Sequence, residues 1–295
     1  MRQPLAAQLL ASTELDSELD TNLNAGLNAD LNAGREPLRF VAIGDVGTAK
    51  AGQYEVAKAM ALRWKSSPFP MVVMTGDNIY PSGDISKVSE AFEQPYAPLL
   101  ENGVKFYASL GNHDFQTDRG RDQIAYLGYN MPSRHYSFIR QSVQFFALDT
   151  NLAYLGDQRG DYLWQNQLRW LRASLARSRA PWKIVFAHHT VYSSGQHGSN
   201  DRLISDLSPI FERYGVQLYI NGHDHNYERT EPINGTTYIT SGNGAKLRPV
   251  GSSDWTALAS SQLGFATFEV HSNRTVIRAV DANNQVYDEA TVAVS

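Results

Sequence analysis

An α/β fold is predicted from residue 37 onward by three observations. Short apolar runs of β type alternate with longer stretches of helical spacing. The runs are apolar throughout, as in strands buried on both faces. Small polar blocks built on glycine follow several of them directly. In order, 40–43, 71–74 and 106–110 read as buried strands, with helices over 51–65 and 86–100 between them. A hairpin is expected with arms 135–139 and 143–148. The stretch 161–178 carries Leu163, Trp164, Leu168, Leu171 and Leu175 at helical spacing, a buried stripe on an otherwise polar helix. A strand over 182–187, a helix over 202–214 and a strand over 217–220 follow. The C-terminus reads as all-β, with strands over 236–241, 264–270, 274–280 and 285–293. No linker interrupts 37–295, so one domain built from two βαβ-rich halves is expected.

Composition narrows the function classes. The 295 residues contain no cysteine, which excludes disulfide frameworks, thiolate zinc sites, iron–sulfur clusters and cysteine nucleophiles. No apolar run approaches the roughly 18 residues of a spanning helix, so a soluble protein without membrane contact is expected. The net charge of −4 is concentrated at the N-terminus, where residues 1–36 hold six acids (Glu14, Asp16, Glu18, Asp20, Asp30, Glu36) and two bases, Arg2 and Arg35. The remainder is balanced, so no nucleic-acid partner bound through a broad basic surface is expected, and a local basic patch stays open. Within 1–36, leucines 15, 19, 23, 27 and 31 recur every fourth residue. On a helix that stripe drifts about 40° per repeat, and Asn and Gly weaken it further. A poorly ordered low-complexity extension is expected there. The first residues are barely basic and their apolar run is broken by Gln8, so no export signal is legible and a cytoplasmic location is the default. Asn234-Gly-Thr and Asn273-Arg-Thr match the glycosylation acceptor pattern, which carries little weight without such a signal.

Five blocks carry the chemistry: Gly44-Asp45-Val46-Gly47, Gly76-Asp77-Asn78-Ile79-Tyr80, Gly111-Asn112-His113-Asp114, Ala187-His188-His189 and Gly222-His223-Asp224-His225. Each follows an expected strand, where open α/β sheets bind their ligands. Five of the eight histidines lie in these blocks: His113, His188, His189, His223 and His225. His223 and His225, two apart on a tight loop, are spaced to project together, with Asp224 pointing away. His189 reads as structural. Asp114 and Asp149 either cap turns or orient histidines. Phe115, Tyr192 and Tyr227 are candidate walls of a pocket, and the polar loop 116–121 reads as solvated.

In this order the blocks resemble the signature of the calcineurin-like metallophosphoesterases, over about residues 40–244. Tyr80, three residues after Asp77, and the stretch from His188 to His197 narrow the resemblance to the small, single-domain purple acid phosphatases of tartrate-resistant type. The resemblance implies a four-layer αββα sandwich of two mixed sheets flanked by helices. It also implies a dinuclear metal centre, Fe(III) plus a divalent ion (iron, zinc or manganese). Asp45, Tyr80 and His225 would hold the ferric ion, Asn112, His188 and His223 the divalent one, and Asp77 would bridge them. A hard trivalent ion suits the anionic oxygens, and the divalent site is richer in imidazole. Summed against three protein anions and a hydroxide, such a centre stays slightly positive and attracts a phosphate dianion. The implied reaction is hydrolysis of small phosphate monoesters, with attack on phosphorus by a metal-bound hydroxide. His113 and His197 are the candidates to bind phosphate or protonate the leaving group. A monomer is expected. The alternatives are a phosphodiesterase or nucleotide hydrolase with two divalent ions, and a non-catalytic metal-dependent binding protein.

Overall fold

The computed structural model describes residues 36–294; the extension expected over 1–36 lies, Glu36 apart, outside the described residues. The strands in chain order are β1 (Leu38–Ile43), β2 (Met71–Met74), β3 (Lys105–Ala108), β4 (Tyr136–Arg140), β5 (Val143–Ala147), β6 (Trp182–Phe186), β7 (Leu218–Asn221), β8 (Tyr227–Thr230), β9 (Thr237–Ser241), β10 (Thr256–Ser260), β11 (Gly264–Val270), β12 (Arg274–Asp281) and β13 (Val286–Ala293). The helices are α1 (Ala51–Ser66), α2 (Gln94–Leu100), α3 (Arg121–Ala125), α4 (Gln158–Arg177) and α5 (Asp201–Tyr214).

Two mixed sheets result. One has the order β13-β12-β11-β1-β2-β3 and the other β10-β8-β9-β7-β6-β5-β4. β1, β2 and β3 run parallel, as do β5, β6, β7 and β9. The period of two along the second sheet divides its side chains between two cores. Phe145, Ala147, Ile184, Phe186, Leu218, Ile220 and Ile239 share a core with Phe40, Ala42 and Phe268 of the first sheet. Phe40 meets Phe145 edge-on, with centroids 5.2 Å apart. The intervening Phe146, Val185, Tyr219 and Tyr238 turn outward onto α4 and α5, where Trp164, Leu168, Leu171 and Phe211 cover them. With α1 and α2 packed together outside the first sheet, the layers are helix, sheet, sheet, helix.

Three features differ from the sequence expectation. The helix expected over 86–100 is divided into a 3₁₀ turn (Ile85–Lys87), a π turn (Ser89–Glu93) and α2. Pro95 has no N–H to give Ala91, and the buried Gln53 side chain of α1 donates to that carbonyl instead, at 2.6 Å. β8 and β10 are additional to the expected strands, and β8, Tyr227-Glu-Arg-Thr, carries two charged residues in four. Inside the protein Arg229 pairs with Asp288 at 2.7 Å and Glu228 accepts from the Ser194 N–H at 2.7 Å. The C-terminal strands are also split: β8–β10 complete the second sheet, whereas β11–β13 return to β1.

Candidate metal centre

The five blocks meet at one end of the sandwich, at the carboxyl ends of β1, β2, β3, β6 and β7. Backbone hydrogen bonds lace them together: Asp45 N–H to Gly76 O (3.0 Å), Tyr80 N–H to Gly47 O (2.8 Å) and Gly222 N–H to His188 O (3.1 Å). Asp45, Asp77 and His223 all adopt the left-handed region, with φ of 58°, 54° and 71°. A non-glycine residue pays about 1–3 kcal/mol for that conformation, which persists where the surroundings over-determine it. The turn swings each side chain from its strand end into the centre. Gly111 and Gly222 are required by close approach, since a Cβ would collide with Asp77 at the first and the Asp45 carboxylate at the second.

The side chains form two clusters. In one, the Tyr80 hydroxyl lies 2.6 Å from Asp77 Oδ2, 3.1 Å from Asp45 Oδ1 and 3.5 Å from His225 Nε2. His225 Nε2 is 3.3 Å from Asp45 Oδ1. In the other, Asn112 Oδ1 lies 3.0 Å from His188 Nε2 and 3.1 Å from His223 Nδ1, and those two nitrogens are 3.2 Å apart. Asp77 stands between the clusters, its Oδ1 being 3.5 Å from His188 Nε2. Candidate ligand atoms of Asp45, Asp77 and His188, all three residues buried, lie within 4.8 Å of one another.

The protonation states suit cations. His188 donates its Nδ1–H to Thr75 O at 2.9 Å, which leaves a lone pair on Nε2 facing the centre. Asn112 Oδ1, His188 Nε2 and His223 Nδ1 thus share at most one proton. One phenol proton likewise serves two carboxylates. Burial holds the His223 imidazole far below its ordinary pKa, and burial with the Lys246 and Arg248 charges holds His225 down to about 3. Burial pushes the Asp45 carboxyl up to about 7, and burial together with Asp45 and Asp77 drives the Tyr80 phenol far above its usual range. Desolvation opposes ionisation of Asp77, yet the neighbouring His188 and the Tyr80 hydrogen bond bring it below the ordinary carboxyl value. Converging acceptors short of protons fit a pair of metal ions, one set rich in anionic oxygen and the other in imidazole.

Of the remaining expected residues, His113 and His197 adjoin this centre. His113 donates its backbone N–H to Asp77 Oδ1 at 3.0 Å, and its Nδ1–H to Pro81 O at 2.5 Å, which leaves Nε2 4.0 Å from Asp77 Oδ2. The His197 ring stacks on His223 with centroids 4.1 Å apart, and its Nε2 meets the Arg248 guanidinium. Asp224 does point away: it accepts from Ser193 Oγ (2.6 Å) and from the His197 N–H (2.9 Å), so it fixes the segment that carries His197. His189 is buried against Thr150, its Nδ1 2.7 Å from that hydroxyl. Asp114 accepts the N–H groups of Asn78, Ile79 and Gly111, which ties the second block to the third. Asp149 caps the turn at Thr150–Tyr154 and binds Arg134. Both carboxylates therefore hold turns and orient no histidine. Tyr227 is a core residue, its hydroxyl bonded to Asp288, and Tyr192 packs on Tyr238 and Trp255; neither ring contact is to a residue of the two clusters.

Sequence reasoning missed Lys246 and Arg248. The Lys246 ammonium sits 3.5 Å from the Tyr80 ring centroid, and the Arg248 N–H binds His225 O at 2.9 Å. The loop that carries them, after β9, has no spacing that marks it. The Gly195–Val250 bridge and the Gly251-to-Ser194 hydrogen bond, with the Arg248 bond to His225, bring it across the centre.

The sequence pattern of the calcineurin-like phosphoesterase family matches residues 38–227. The chain is 32% identical over 244 residues to tartrate-resistant acid phosphatase type 5 of Homo sapiens, covering 72% of this chain and 74% of that protein. It is 34% identical over 233 residues to purple acid phosphatase 17 of Arabidopsis thaliana, covering 70% and 68%. Among solved structures, GAP50, described as the anchor in the inner membrane complex of Plasmodium, superposes with a TM-score of 0.78 at 23% identity, over 88% of this chain and 90% of that one.

Proposed function

The chain belongs to the calcineurin-like phosphoesterase family, and from that membership we propose that it is a purple-acid-phosphatase-like hydrolase of phosphate monoesters. In this reading Asp45, Tyr80 and His225 would hold a ferric ion, Asn112, His188 and His223 would hold a divalent ion, and Asp77 would serve both. The observation that carries it is the division of Asp77, whose Oδ2 faces Tyr80 at 2.6 Å while Oδ1 faces His188 at 3.5 Å. Bound there, two ions would clamp the phosphoryl oxygens and acidify the water that attacks phosphorus in line.

The chain's own groups supply the rest. The Pro81 carbonyl fixes the His113 ring with Nε2 toward the centre. A proton on that nitrogen hydrogen-bonds the phosphate or passes to the departing alkoxide. His197, held over His223 by Asp224, offers a second donor on the opposite cluster. Lys246 adds a cation beside Tyr80 and favours a dianion over the singly charged diester.

The test is hydrolysis of p-nitrophenyl phosphate beside its bis-ester by iron- and zinc-reconstituted protein, scanned from acid to mildly alkaline pH. The proposal expects strong preference for the monoester with an acid optimum, and loss of that activity in Tyr80→Phe. Preference for the diester near neutral pH, indifferent to Tyr80→Phe, would instead indicate a diesterase with two divalent ions.

A further inference from the structure

A cavity of about 410 Å³ has Arg119, Arg121, Arg134 and Arg159 on its walls and Asp118 as the only acid among its lining residues. The Asp118 carboxylate is spent on backbone, accepting the N–H groups of Arg121 and Asp122 at 3.0 Å each. Arg134 is pinned, 3.1 Å from the buried Asp149 carboxylate and stacked over Phe115 at 5.4 Å. Among the described residues Arg119, Arg121 and Arg159 have no carboxylate partner. Guanidinium groups gathered without acids repel one another, and their planar forks match phosphate oxygens.

Two short chain links run from the lining of the cavity to the blocks of the centre. Phe115 donates its N–H to Gly111 O at 3.1 Å, so it lies one tight turn from Asn112. Leu152, also lining the cavity, belongs to the turn Thr150–Tyr154, from which Thr150 binds His189 and Asn151 binds Gly111 O. The loop that presents Arg119 is strained toward this place: Asp118, Arg119 and Gly120 follow one another in the left-handed region, at φ of 49°, 59° and 73°. Leucines of that turn and of α4 give the cavity an apolar side able to accept a carbon scaffold.

We propose that this cavity is a second anion subsite, which takes the distal phosphate of a bisphosphorylated substrate while the proximal ester lies at the centre. The assignment rests on the phosphatase reading above and deepens it: the preferred substrates carry two phosphate groups on one small scaffold.

The test compares butane-, hexane- and octanediol bisphosphates with the matching monophosphates, following phosphate release by the reconstituted protein. At least one bisphosphate should show kcat/KM about tenfold or more above its monophosphate, an advantage that shrinks as salt is raised. The paired exposed substitutions Arg119→Gln and Arg159→Gln should erase it through KM and leave p-nitrophenyl phosphate turnover unchanged. Equal kcat/KM for mono- and bisphosphates at every length overturns the proposal. So does a stimulation of monophosphate turnover by free sulfate, lost in the same variant, which makes the cavity an effector site instead. Calorimetric titration of metal-free protein with hexanediol bisphosphate separates the two readings. Binding that the double variant loses supports the cavity even if every ester proves inert and the phosphatase reading fails; absent binding together with normal monoester hydrolysis rejects the cavity alone.

Discussion

At Asp45 the carboxyl is pushed up to about 7 by burial, and the neighbouring Tyr80 phenol holds its proton far above its usual range. With Asp45 and Tyr80 as the proposed ligands, both protons should leave when ions enter, since ligands bind deprotonated. At pH 6, below the Asp45 value, metal uptake should release protons from both groups; at pH 8 Tyr80 alone should contribute, so affinity rises and proton release falls with pH. Calorimetry of metal loading in buffers of different ionisation enthalpy measures this, and Tyr80→Phe should remove about one proton at either pH. The sign for stability is separate: a carboxyl raised from 3.8 to about 7 favours the folded metal-free protein fully below 3.8 and loses that contribution as pH rises through about 7. Lys246 makes the second prediction. Its ammonium lies over the Tyr80 ring, half-buried and without a carboxylate salt bridge among the described residues. Removing it in Lys246→Met should raise KM for a phosphate monoester about tenfold while the metal content measured by elemental analysis stays constant.

Among the elements, β8 shows how tertiary contacts rescue a polar strand. Arg229 forks onto Asp288 of β13 with bonds of 2.7 and 2.9 Å, and the Tyr227 hydroxyl reaches the same carboxylate at 2.8 Å. This pair joins the two sheets, since β8 belongs to the second and β13 to the first. Asp288→Ala would leave a largely buried guanidinium and a buried phenol unpaired, at a cost of about 3–5 kcal/mol in chemical denaturation. The Asp288 hydrogen-bond partners Tyr227 and Arg229 belong to neither ligand cluster, so monoester kcat should change little. The Pro95 break is settled likewise by a distant partner, Gln53, which is fully buried.

For the whole molecule, the centre acts as a clasp between sheets. Each cluster draws on both: Asp45 and Tyr80 come from the first sheet and His225 from the second, while Asn112 comes from the first and His188 and His223 from the second. Ions that bind only the folded arrangement stabilise it by mass action. Exhaustive chelation should therefore lower Tm by about 10 °C for several kcal/mol of binding energy in a chain of this size. An Asp77→Asn variant, which weakens the shared carboxylate, should show a smaller difference between loaded and chelated forms in the same scan.

The parallel strands, α1, α4 and α5 were legible in the sequence because the signals that make them are local: continuous apolar runs, the Trp164–Leu175 stripe, and glycine turns after several of the strands. The blocks around Asp45, Asp77, Asn112, His188 and His223 were legible for the same reason, since each is contiguous and sits at a strand end. Tertiary structure alone decided what depends on partners far along the chain. Glu228 and Arg229 enter a strand only because Ser194 and Asp288 receive them. The return of β11 to β1 follows from pairing across more than two hundred residues, which no local period encodes. Lys246 and Arg248 reach the centre on a loop whose position is set by hydrogen bonds to other blocks. Its sequence is that of an ordinary solvated loop, and only the folded backbone gives those charges a common target.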